Sequence, residues 1–273
     1  MSKTGLKRDT TDKFYTKQST ANYLINRWKE VLFLDDDCLI IEPSAGNGSF
    51  FIPLFNEDKY HIIGYDIEPE NVNIIKGDFL EVELPKVTDL HFIGNPPFGR
   101  QSSLAKKFIK KCAKYGESIS FILPKSFKKD SFKKTFPLDF HLIYEQDIPE
   151  NSFSIEGKDY NVECVFQIWK KMDIKRQVIE DEDPYKFSFV KKEEEPHFSL
   201  RRVGVYAGKI STEIENKSSE SHYFIKLDED IDQDTFEEEF LKLEFTHNNT
   251  VGPKSISKQE FIKKINIIIS SIV

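Results

Sequence analysis

The sequence predicts an α/β protein with a seven-stranded, mostly parallel sheet, followed by a small C-terminal α+β module. Between about residues 20 and 170, short apolar runs alternate with segments of helical periodicity, a pattern typical of parallel strands with helices on both faces. Near residue 173 the alternation ends, and two acidic, proline-containing stretches follow. We therefore expect one domain over 1–183 and a substrate-recognition or accessory module over 184–273.

Each predicted element has its own signal. The strands are the apolar runs at 38–41, 62–66, 73–75, 90–94, 119–123, 140–144 and 162–169. A first helix, capped by Ser19 or Thr20, is predicted from the spacing of Tyr23, Leu24, Trp28 and Leu32. A later helix is predicted from Leu104, Phe108, Ile109 and Cys112. The module should contain strands at 187–190, 200–210 and 222–227, an amphipathic stretch over 236–245 and a helix from Ser257.

Composition excludes several classes of protein. No apolar run among the 273 residues reaches the roughly 18 needed to cross a bilayer, and the polar N-terminus lacks a signal-peptide core. Cys38, Cys112 and Cys164 lie far apart, and the six histidines form no metal-spaced pair. We therefore expect an intracellular protein of a reducing compartment, cytoplasmic or nuclear, with no membrane partner and no metal.

The charge is unevenly distributed along the chain. The formal net charge is −7, yet between Arg100 and Lys134 eleven basic residues face only Glu117 and Asp130. This segment of +9 is either a solvated helix face or a surface that binds phosphates.

The first predicted strand ends in a glycine turn, Glu42-Pro-Ser-Ala-Gly46-Asn-Gly48. The two glycines permit a tight turn and close approach of the backbone to a ligand. Phe51 occupies the position of the third glycine of the dinucleotide fingerprint. The turn is therefore expected to enclose a cofactor without a phosphate rather than to cradle a phosphate.

Three further strand ends carry polar residues, and such ends meet at one edge of an open α/β sheet. Asp66, 24 residues after Glu42, is placed to bind both hydroxyls of a ribose. Asp78 can accept from an exocyclic adenine amine while Phe79 packs on the ring. The fourth end is Asn95-Pro-Pro-Phe98. Each signal alone is weak, but the four in this order indicate a nucleoside-type cofactor.

On these motifs, the sequence from about Phe14 to Trp169 resembles the class I S-adenosylmethionine-dependent amino-methyltransferases that act on nucleic-acid bases. Asn95-Pro-Pro-Phe98 is the most specific element of the resemblance, and Phe14-Tyr-Thr-Lys17 resembles the family's N-terminal motif. The motif order is similar to the gamma arrangement of adenine-N6 DNA methyltransferases. The resemblance implies a Rossmann-like methyltransferase domain, S-adenosylmethionine as cofactor and a nucleic acid, DNA more than RNA, as partner.

The resemblance, together with the strand-end pattern, assigns three groups of residues. Catalytic roles fall on Asn95, Pro96, Pro97 and Phe98. Cofactor binding is expected from Tyr15, Thr16, Glu42, Ser44, Ala45, Gly46, Gly48, Asp66, Ile67, Asp78, Phe79 and Asn95. Substrate binding is expected from Phe98, Arg100, Lys125, Lys128, Lys129 and Phe153, the last as an aromatic that packs on a flipped base.

An exocyclic amine is a poor nucleophile because its lone pair is delocalised into the ring. Two acceptors, the Asn95 side-chain oxygen and the Pro96 carbonyl, can favour a pyramidal nitrogen and stabilise its developing charge. Phe98 would stack on the base, which must leave a duplex to be reached. None of the cysteines follows a proline, which excludes the cysteine chemistry of cytosine-C5 methylation.

Several alternatives remain open at the level of sequence. The same chemistry fits adenine in RNA, cytosine N4 and the side-chain amide of glutamine in a protein. A non-catalytic nucleic-acid-binding protein that kept the fold is a further reading, which the intact Asn95-Pro-Pro-Phe98 disfavours.

Overall fold

The computed structural model describes residues 14–57, 59–155, 157–178, 180–243, 245 and 254–273. The chain divides into two compact units, 1–178 and 179–273, and each has its own apolar core. The division falls in the first acidic stretch, which also contains the boundary predicted at 183.

The first unit is built on a seven-stranded sheet. Its strands are β1 (Leu39–Glu42), β2 (His61–Asp66), β3 (Ile75–Lys76), β4 (Leu90–Gly94), β5 (Ser118–Pro124), β6 (Phe140–Asp147) and β7 (Cys164–Lys171). Their order is β3-β2-β1-β4-β5-β7-β6. The first five are parallel and β7 is antiparallel to both its neighbours, so the predicted mostly parallel, Rossmann-like sheet is confirmed.

The central strands are buried on both faces. Every residue of β4 and β5 is buried, which explains why both read as continuous apolar runs. The strand order reverses between β1 and β4, since β2 and β3 lie to one side and β5 to the other. A crevice for a ligand is expected where the carboxyl ends of these two strands separate.

Four helices accompany the sheet: α1 (Gln18–Leu32), α2 (Phe51–Phe55), α3 (Ser103–Cys112) and α4 (Asp130–Lys133), with 3₁₀ turns at Arg100–Ser102 and Lys125–Lys128. The predicted capping of α1 is wrong, because Ser19 and Thr20 lie inside the helix and Lys17 precedes it. The cause is a tertiary contact, since the Lys17 amide donates to the Ser152 carbonyl at 2.9 Å. Tyr23 is exposed, and Ile25 is buried in its place.

A small antiparallel sheet ties the start of the described chain to the rest of the first unit. The short strand Tyr15–Thr16 pairs with Phe153–Ile155, which in turn pairs with Lys158–Tyr160. We call Phe14–Thr16 the strap. The pairing holds the strap over the sheet edge where β1 and β4 end.

The second unit has a four-stranded antiparallel sheet, ordered β8-β11-β9-β10, with two helices. Its elements are β8 (Phe187–Phe189), β9 (Phe198–Arg201), β10 (Ile210–Ser211), β11 (His222–Leu227), α5 (Gln233–Leu241) and α6 (Lys258–Ile272), with a 3₁₀ turn at Lys192–Glu194. Ser257 caps α6 by accepting from the Glu260 amide at 3.1 Å. The predicted strand over 200–210 is a strand only at its ends, since Leu200 and Arg201 belong to β9 and Ile210 to β10. Residues 202–209 connect the two strands, and Gly204 and Gly208 there have φ of 95° and 100°.

Within the described ranges, no helix combines the length and the apolar character that a membrane span requires.

Candidate functional site

The main cavity of the first unit has a volume of about 250 Å³ and lies where β1, β2 and β4 end. Residues of the strap, the glycine turn after β1, the end of β2 and the loop after β3 line it. Eleven of the twelve residues predicted to bind a cofactor are among them: Tyr15, Thr16, Glu42, Ser44, Ala45, Gly46, Asp66, Ile67, Asp78, Phe79 and Asn95. Segments up to about 80 residues apart in the chain therefore meet in one cavity.

The predicted role of Gly48 is not seen, because it does not line the cavity. Gly48 has a φ of 88°, and a Cβ there would come within 2.8 Å of Ile52. It shapes the turn and the packing beneath it. Gly46 does line the cavity, and a Cβ on it would lie 3.1 Å from the Tyr15 ring. A glycine at 46 thus allows the strap to close on the turn.

Asp66 is fixed by two backbone amides. Its Oδ2 accepts from Gly46 N at 2.7 Å, and its Oδ1 accepts from Glu68 N at 2.8 Å. An ionised carboxylate has about four acceptor sites, so two remain for hydroxyl groups of a ligand.

Asp78 and Phe79 also line the cavity. Asp78 Oδ1 accepts from Leu80 N at 2.9 Å in a tight turn. The Phe79 ring is buried and stacks on Phe108 with centroids 5.4 Å apart. Lys111 Nζ donates to the Phe79 carbonyl at 2.5 Å, and burial lowers the pKa of this amine. These contacts give the cavity a rigid aromatic wall beside a carboxylate.

The strap is held by a second contact at its tyrosine. The Tyr15 hydroxyl donates to the Glu70 carboxylate, and burial together with this bond raises the pKa of Tyr15 to about 12. The phenol therefore remains a neutral donor across the physiological range. Glu70 was not predicted from the sequence, and only its position shortly after the end of β2 hinted at it.

Asn95, directly after β4, is oriented by the strap. Its amide nitrogen donates to Thr16 Oγ1 at 3.2 Å and to the Phe14 carbonyl at 3.4 Å. Its own carbonyl accepts from Ser44 Oγ at 3.1 Å. Since the amide nitrogen is engaged, the side-chain oxygen is the atom that Asn95 can offer a ligand, and no described residue donates to it.

The rest of the tetrapeptide supports Asn95. Pro97 lines the cavity, whereas Pro96 is buried and Phe98 is half-buried against the apolar cluster beside α1. The Phe98 carbonyl accepts from Leu104 N at 3.1 Å and Ala105 N at 3.3 Å, at the start of α3. The loop is thus fixed at both ends, by β4 and by α3.

Glu42 is the unusual group of the cavity. It is 2 % exposed, and its Oε2 is buried with no hydrogen-bond partner in the described part of the chain. Burial raises the pKa of this carboxyl well above 4.5, and the Phe51 amide at the start of α2 offsets part of the effect. A buried acceptor without a donor is costly unless a ligand supplies one.

The proposed role of Phe153 needs correction. The side chain is 1 % exposed and packs in the cluster that contains Leu24, Trp28 and Phe166. Its backbone pairs with Thr16 of the strap. A ring this deep in the core has no face for a substrate, so Phe153 supports the strap instead.

The lysines predicted to bind substrate are largely engaged within the protein. Lys128 lies 2.7 Å from Asp147, and Lys125 lies 3.8 Å from Glu163. None of the four residues Arg100, Lys125, Lys128 and Lys129 lines the cavity. Arg100, in the 3₁₀ turn after Phe98, is exposed and makes no ion pair with the described residues.

One group of metal-ligand types occurs at the opposite edge of the sheet, where the sequence suggested none. Ligand atoms of Cys38, Asp89 and His91 lie within 4.8 Å of one another. Both ring nitrogens of His91 already form hydrogen bonds, Nε2 with Asp89 at 2.7 Å and Nδ1 with Ser118 at 2.8 Å. Burial raises the pKa of the Cys38 thiol to about 11, so the thiolate that binds metals is disfavoured.

The cavity also has lining residues that sequence reasoning did not select. They are Phe14, Pro43, Asn47, Ser49, Phe50, Glu68, Gly77, Leu80, Leu104 and Phe108. Most are immediate neighbours of predicted positions. Phe108 and Leu104 were predicted as core residues of α3, and only the packing of α3 on the sheet shows that they also face the cavity.

Of the known proteins compared with this chain, only solved structures are similar to it. No family model and no curated protein matches the sequence. A candidate class I S-adenosylmethionine-dependent methyltransferase from Listeria monocytogenes is similar at 16 % identity and a TM-score of 0.45, over 59 % of this chain and 62 % of that one. The chain thus spans less than two thirds of that protein.

Two further solved structures have comparable similarity. A candidate RNA methyltransferase from Pyrococcus horikoshii has 14 % identity and a TM-score of 0.46, over 58 % of this chain and 86 % of that one. A protein of Thermoplasma acidophilum, number 1320, has 19 % identity and a TM-score of 0.44, over 57 % and 90 %. The chemistry of this chain is therefore inferred from its own site residues.

The state of Glu42 leads to a prediction about stability. Because its pKa is raised in the folded chain, the wild type should lose stability as pH rises from about 4.5 through the folded pKa. Glu42→Gln cannot ionise, so its stability relative to wild type should grow with pH, by at most about 1.4 kcal/mol per unit. Urea unfolding without ligand, followed by tryptophan fluorescence, measures this, since Trp28 and Trp169 both lie in the first unit.

Glu83→Gln is the matched control, because Glu83 is an exposed glutamate outside the cavity. It should show no such trend with pH. A constant difference between Glu42→Gln and wild type across pH 5 to 8 would contradict a raised pKa for Glu42.

Proposed function

We propose that the chain transfers a methyl group from S-adenosylmethionine to an exocyclic amine, with adenine N6 of DNA as the substrate. The observation that carries the proposal is the orientation of Asn95. The strap occupies its amide nitrogen, so the side-chain oxygen is left to accept from an amine at the edge of the cavity. Such an acceptor, fixed before the substrate arrives, is what methylation of a delocalised amine requires.

The cavity fits S-adenosylmethionine group by group. Asp66 offers free acceptor sites for the two ribose hydroxyls, and Asp78 beside Phe79 suits an adenine with its amine. Oε2 of Glu42 is a buried acceptor without a donor, which suits the ammonium of an amino acid. The cofactor, when bound, supplies an electrophilic methyl group.

The residues of the chain then act on the target amine. The Asn95 oxygen and the Pro96 carbonyl accept its two N–H groups, which favours a pyramidal nitrogen and stabilises the positive charge that develops there. Proline at 96 and 97 restricts the backbone that carries these acceptors. No strong base is needed, because a methylated, positively charged amine loses its proton readily to water.

Adenine in DNA is proposed over the alternatives on the tetrapeptide and the motif order. The engaged lysines at 125 and 128 leave fewer free cations near Asn95 than the sequence suggested, so Arg100 is the best candidate to meet a backbone phosphate. A base in a duplex would have to be flipped out to reach the cavity.

Transfer of tritium from methyl-labelled S-adenosylmethionine tests the proposal. Duplex DNA, single-stranded DNA, RNA and a glutamine-containing protein extract are offered in parallel, followed by nucleoside or amino-acid analysis. Label in N6-methyl-2′-deoxyadenosine from DNA is expected. Label in RNA, in N4-methylcytosine or in glutamine would move the proposal to that substrate, and no transfer to any of them would refute methyl transfer to these groups.

Asp66→Ala should weaken cofactor binding. The ribose would lose two hydrogen bonds to a charged acceptor and the Gly46 turn would lose its anchor, a loss of about 2–4 kcal/mol. Isothermal titration calorimetry with S-adenosylmethionine measures it. Asp37→Ala, which removes an exposed carboxylate outside the cavity, should bind normally. An unchanged affinity in Asp66→Ala would remove this residue from the site.

Asn95→Ala should affect turnover more than cofactor binding. Loss of one preorganised acceptor is expected to lower the single-turnover rate by about 10²–10³-fold. The cofactor affinity should change far less, because Asp66, Asp78 and Glu42 remain. Asn22→Ala on the exposed face of α1 is the control. Normal turnover in Asn95→Ala would rule out the proposed role of its side-chain oxygen.

Arg100→Gln and Lys128→Gln should separate a free cation from a paired one. Arg100→Gln is expected to weaken DNA binding and to reduce the slope of log affinity against log salt by about 0.9. Lys128→Gln should leave the slope unchanged, since Lys128 already contacts Asp147. Fluorescence anisotropy over a salt series measures both, and a larger effect at Lys128 would contradict this assignment.

A further inference from the structure

The second unit has a pocket of its own, of about 170 Å³, on its antiparallel sheet. Three cations and a histidine line it, and we name it the cationic pocket after them: Arg201, Lys209, Lys217 and His222. Ser199, Ser211 and Tyr206 complete the lining. The three cations and the histidine come from the end of β9, the residue directly before β10, the turn before β11 and the start of β11, so the pocket exists only in the folded sheet.

The positive charge of this pocket is local and uncompensated. From 184 to 273 the sequence has 13 Lys and Arg against 16 Asp and Glu, so the region is acidic as a whole. Nevertheless, none of Arg201, Lys209 and Lys217 forms an ion pair with a carboxylate of the described residues. Cations held together without carboxylates repel one another, which favours binding of an anion.

The side chain of one of these cations is held before any ligand arrives, and so is the backbone that carries a second. Arg201 Nε donates to the Val203 carbonyl at 3.1 Å, and its guanidinium lies 5.9 Å from the centre of the Tyr206 ring. The turn that carries Lys217 is held by Lys192, whose Nζ donates to the carbonyls of Glu215 and Lys217 at 2.6 and 3.1 Å. A preorganised site loses less entropy on binding.

His222 lies close enough to Arg201 and Lys217 to respond to their positive charge. Its Nδ1 lies 3.1 Å from the Ser218 carbonyl oxygen and 3.0 Å from the Ser221 hydroxyl, and these two hydrogen-bond contacts position the ring. Burial lowers the pKa of His222, the Ser218 carbonyl raises it, and the nearby charges of Arg201 and Lys217 lower it. A bound anion would oppose the effect of these cations and raise the pKa, which makes the ring a local probe.

We propose that the cationic pocket binds a phosphate group. Three cations suit a phosphate better than a carboxylate, which one arginine can satisfy, and the planar fork of Arg201 matches phosphate oxygens. Tyr206 is 66 % exposed beside Arg201 and offers an aromatic face to the group that carries the phosphate. That group is either a nucleotide of a nucleic-acid strand or a free phosphorylated compound. The proposal is independent of methyl transfer, because no residue of the pocket belongs to 1–178.

The full chain is titrated with inorganic phosphate while the histidine ring protons are followed by NMR, with His222 assigned from a His222→Gln variant. A saturable shift of the His222 signal is expected. Lys209→Gln and Arg201→Gln should each raise the half-saturating phosphate concentration about tenfold, since a charge-assisted hydrogen bond is lost. Lys242→Gln removes an exposed cation that directly follows α5 and lies outside the pocket, and it should bind as wild type.

Lys209→Gln is the decisive variant, because the Lys209 side chain is exposed and its replacement should not disturb folding. Circular dichroism checks that the variant is folded. No saturable shift in the wild type, or equal phosphate binding in wild type and Lys209→Gln, would overturn the proposal. Anisotropy with a short single-stranded oligonucleotide then distinguishes the two sources. A weaker oligonucleotide complex in Lys209→Gln, released by free phosphate, assigns the pocket to a strand. An unchanged complex alongside weaker phosphate binding assigns it to a free phosphorylated compound.

Discussion

The cavity of the first unit depends on one hydrogen bond, from the Gly46 amide to Asp66 Oδ2 at 2.7 Å. It joins the turn after β1 to the end of β2, so the two strand ends keep a fixed distance. The same carboxylate also accepts from the Glu68 amide and still has acceptor sites for a ligand. Because the residue at 46 has no Cβ, the Tyr15 ring can close over this turn. The anchor of the fold and the proposed ribose acceptor are therefore the same group.

The strap links the core of the unit to the proposed chemistry. Phe153 is buried, and its backbone pairs with Thr16, whose hydroxyl accepts from the Asn95 amide. Phe153, which was expected to touch the substrate, therefore acts indirectly: its backbone fixes the strap, and the strap orients Asn95. The Tyr15–Glu70 hydrogen bond secures the middle of the strap. The orientation of one side-chain oxygen therefore rests on contacts between segments more than 50 residues apart.

The sequence was sufficient for the sheet and for most of the cavity because both follow from local patterns. Strand polarity brings Glu42, Asp66 and Asn95 to one edge, wherever the connecting helices lie. The errors concern partners that are distant in the chain. No residue close to Lys128 in the sequence indicates that Asp147 lies 2.7 Å from it. Likewise, no residue close to Ser19 indicates that Ser152 fixes the start of α1. The roles of such residues are set by tertiary contacts, which a local window does not contain.

Contacts between residues distant in the chain also determine where an anion can bind. Counting charges placed the basic surface at 100–134, yet ion pairs with Asp147 and Glu163 engage two of its lysines, and Lys111 is engaged with backbone carbonyls. The acidic region after 184 shows the opposite, because the folded sheet gathers three of its thirteen Lys and Arg residues in a pocket whose lining residues include no carboxylate. A paired cation attracts an anion weakly at any distance, whereas clustered and unpaired cations attract it strongly. Pairing in the folded chain, and not the number of charges in a segment, therefore determines where this protein is able to hold a phosphate.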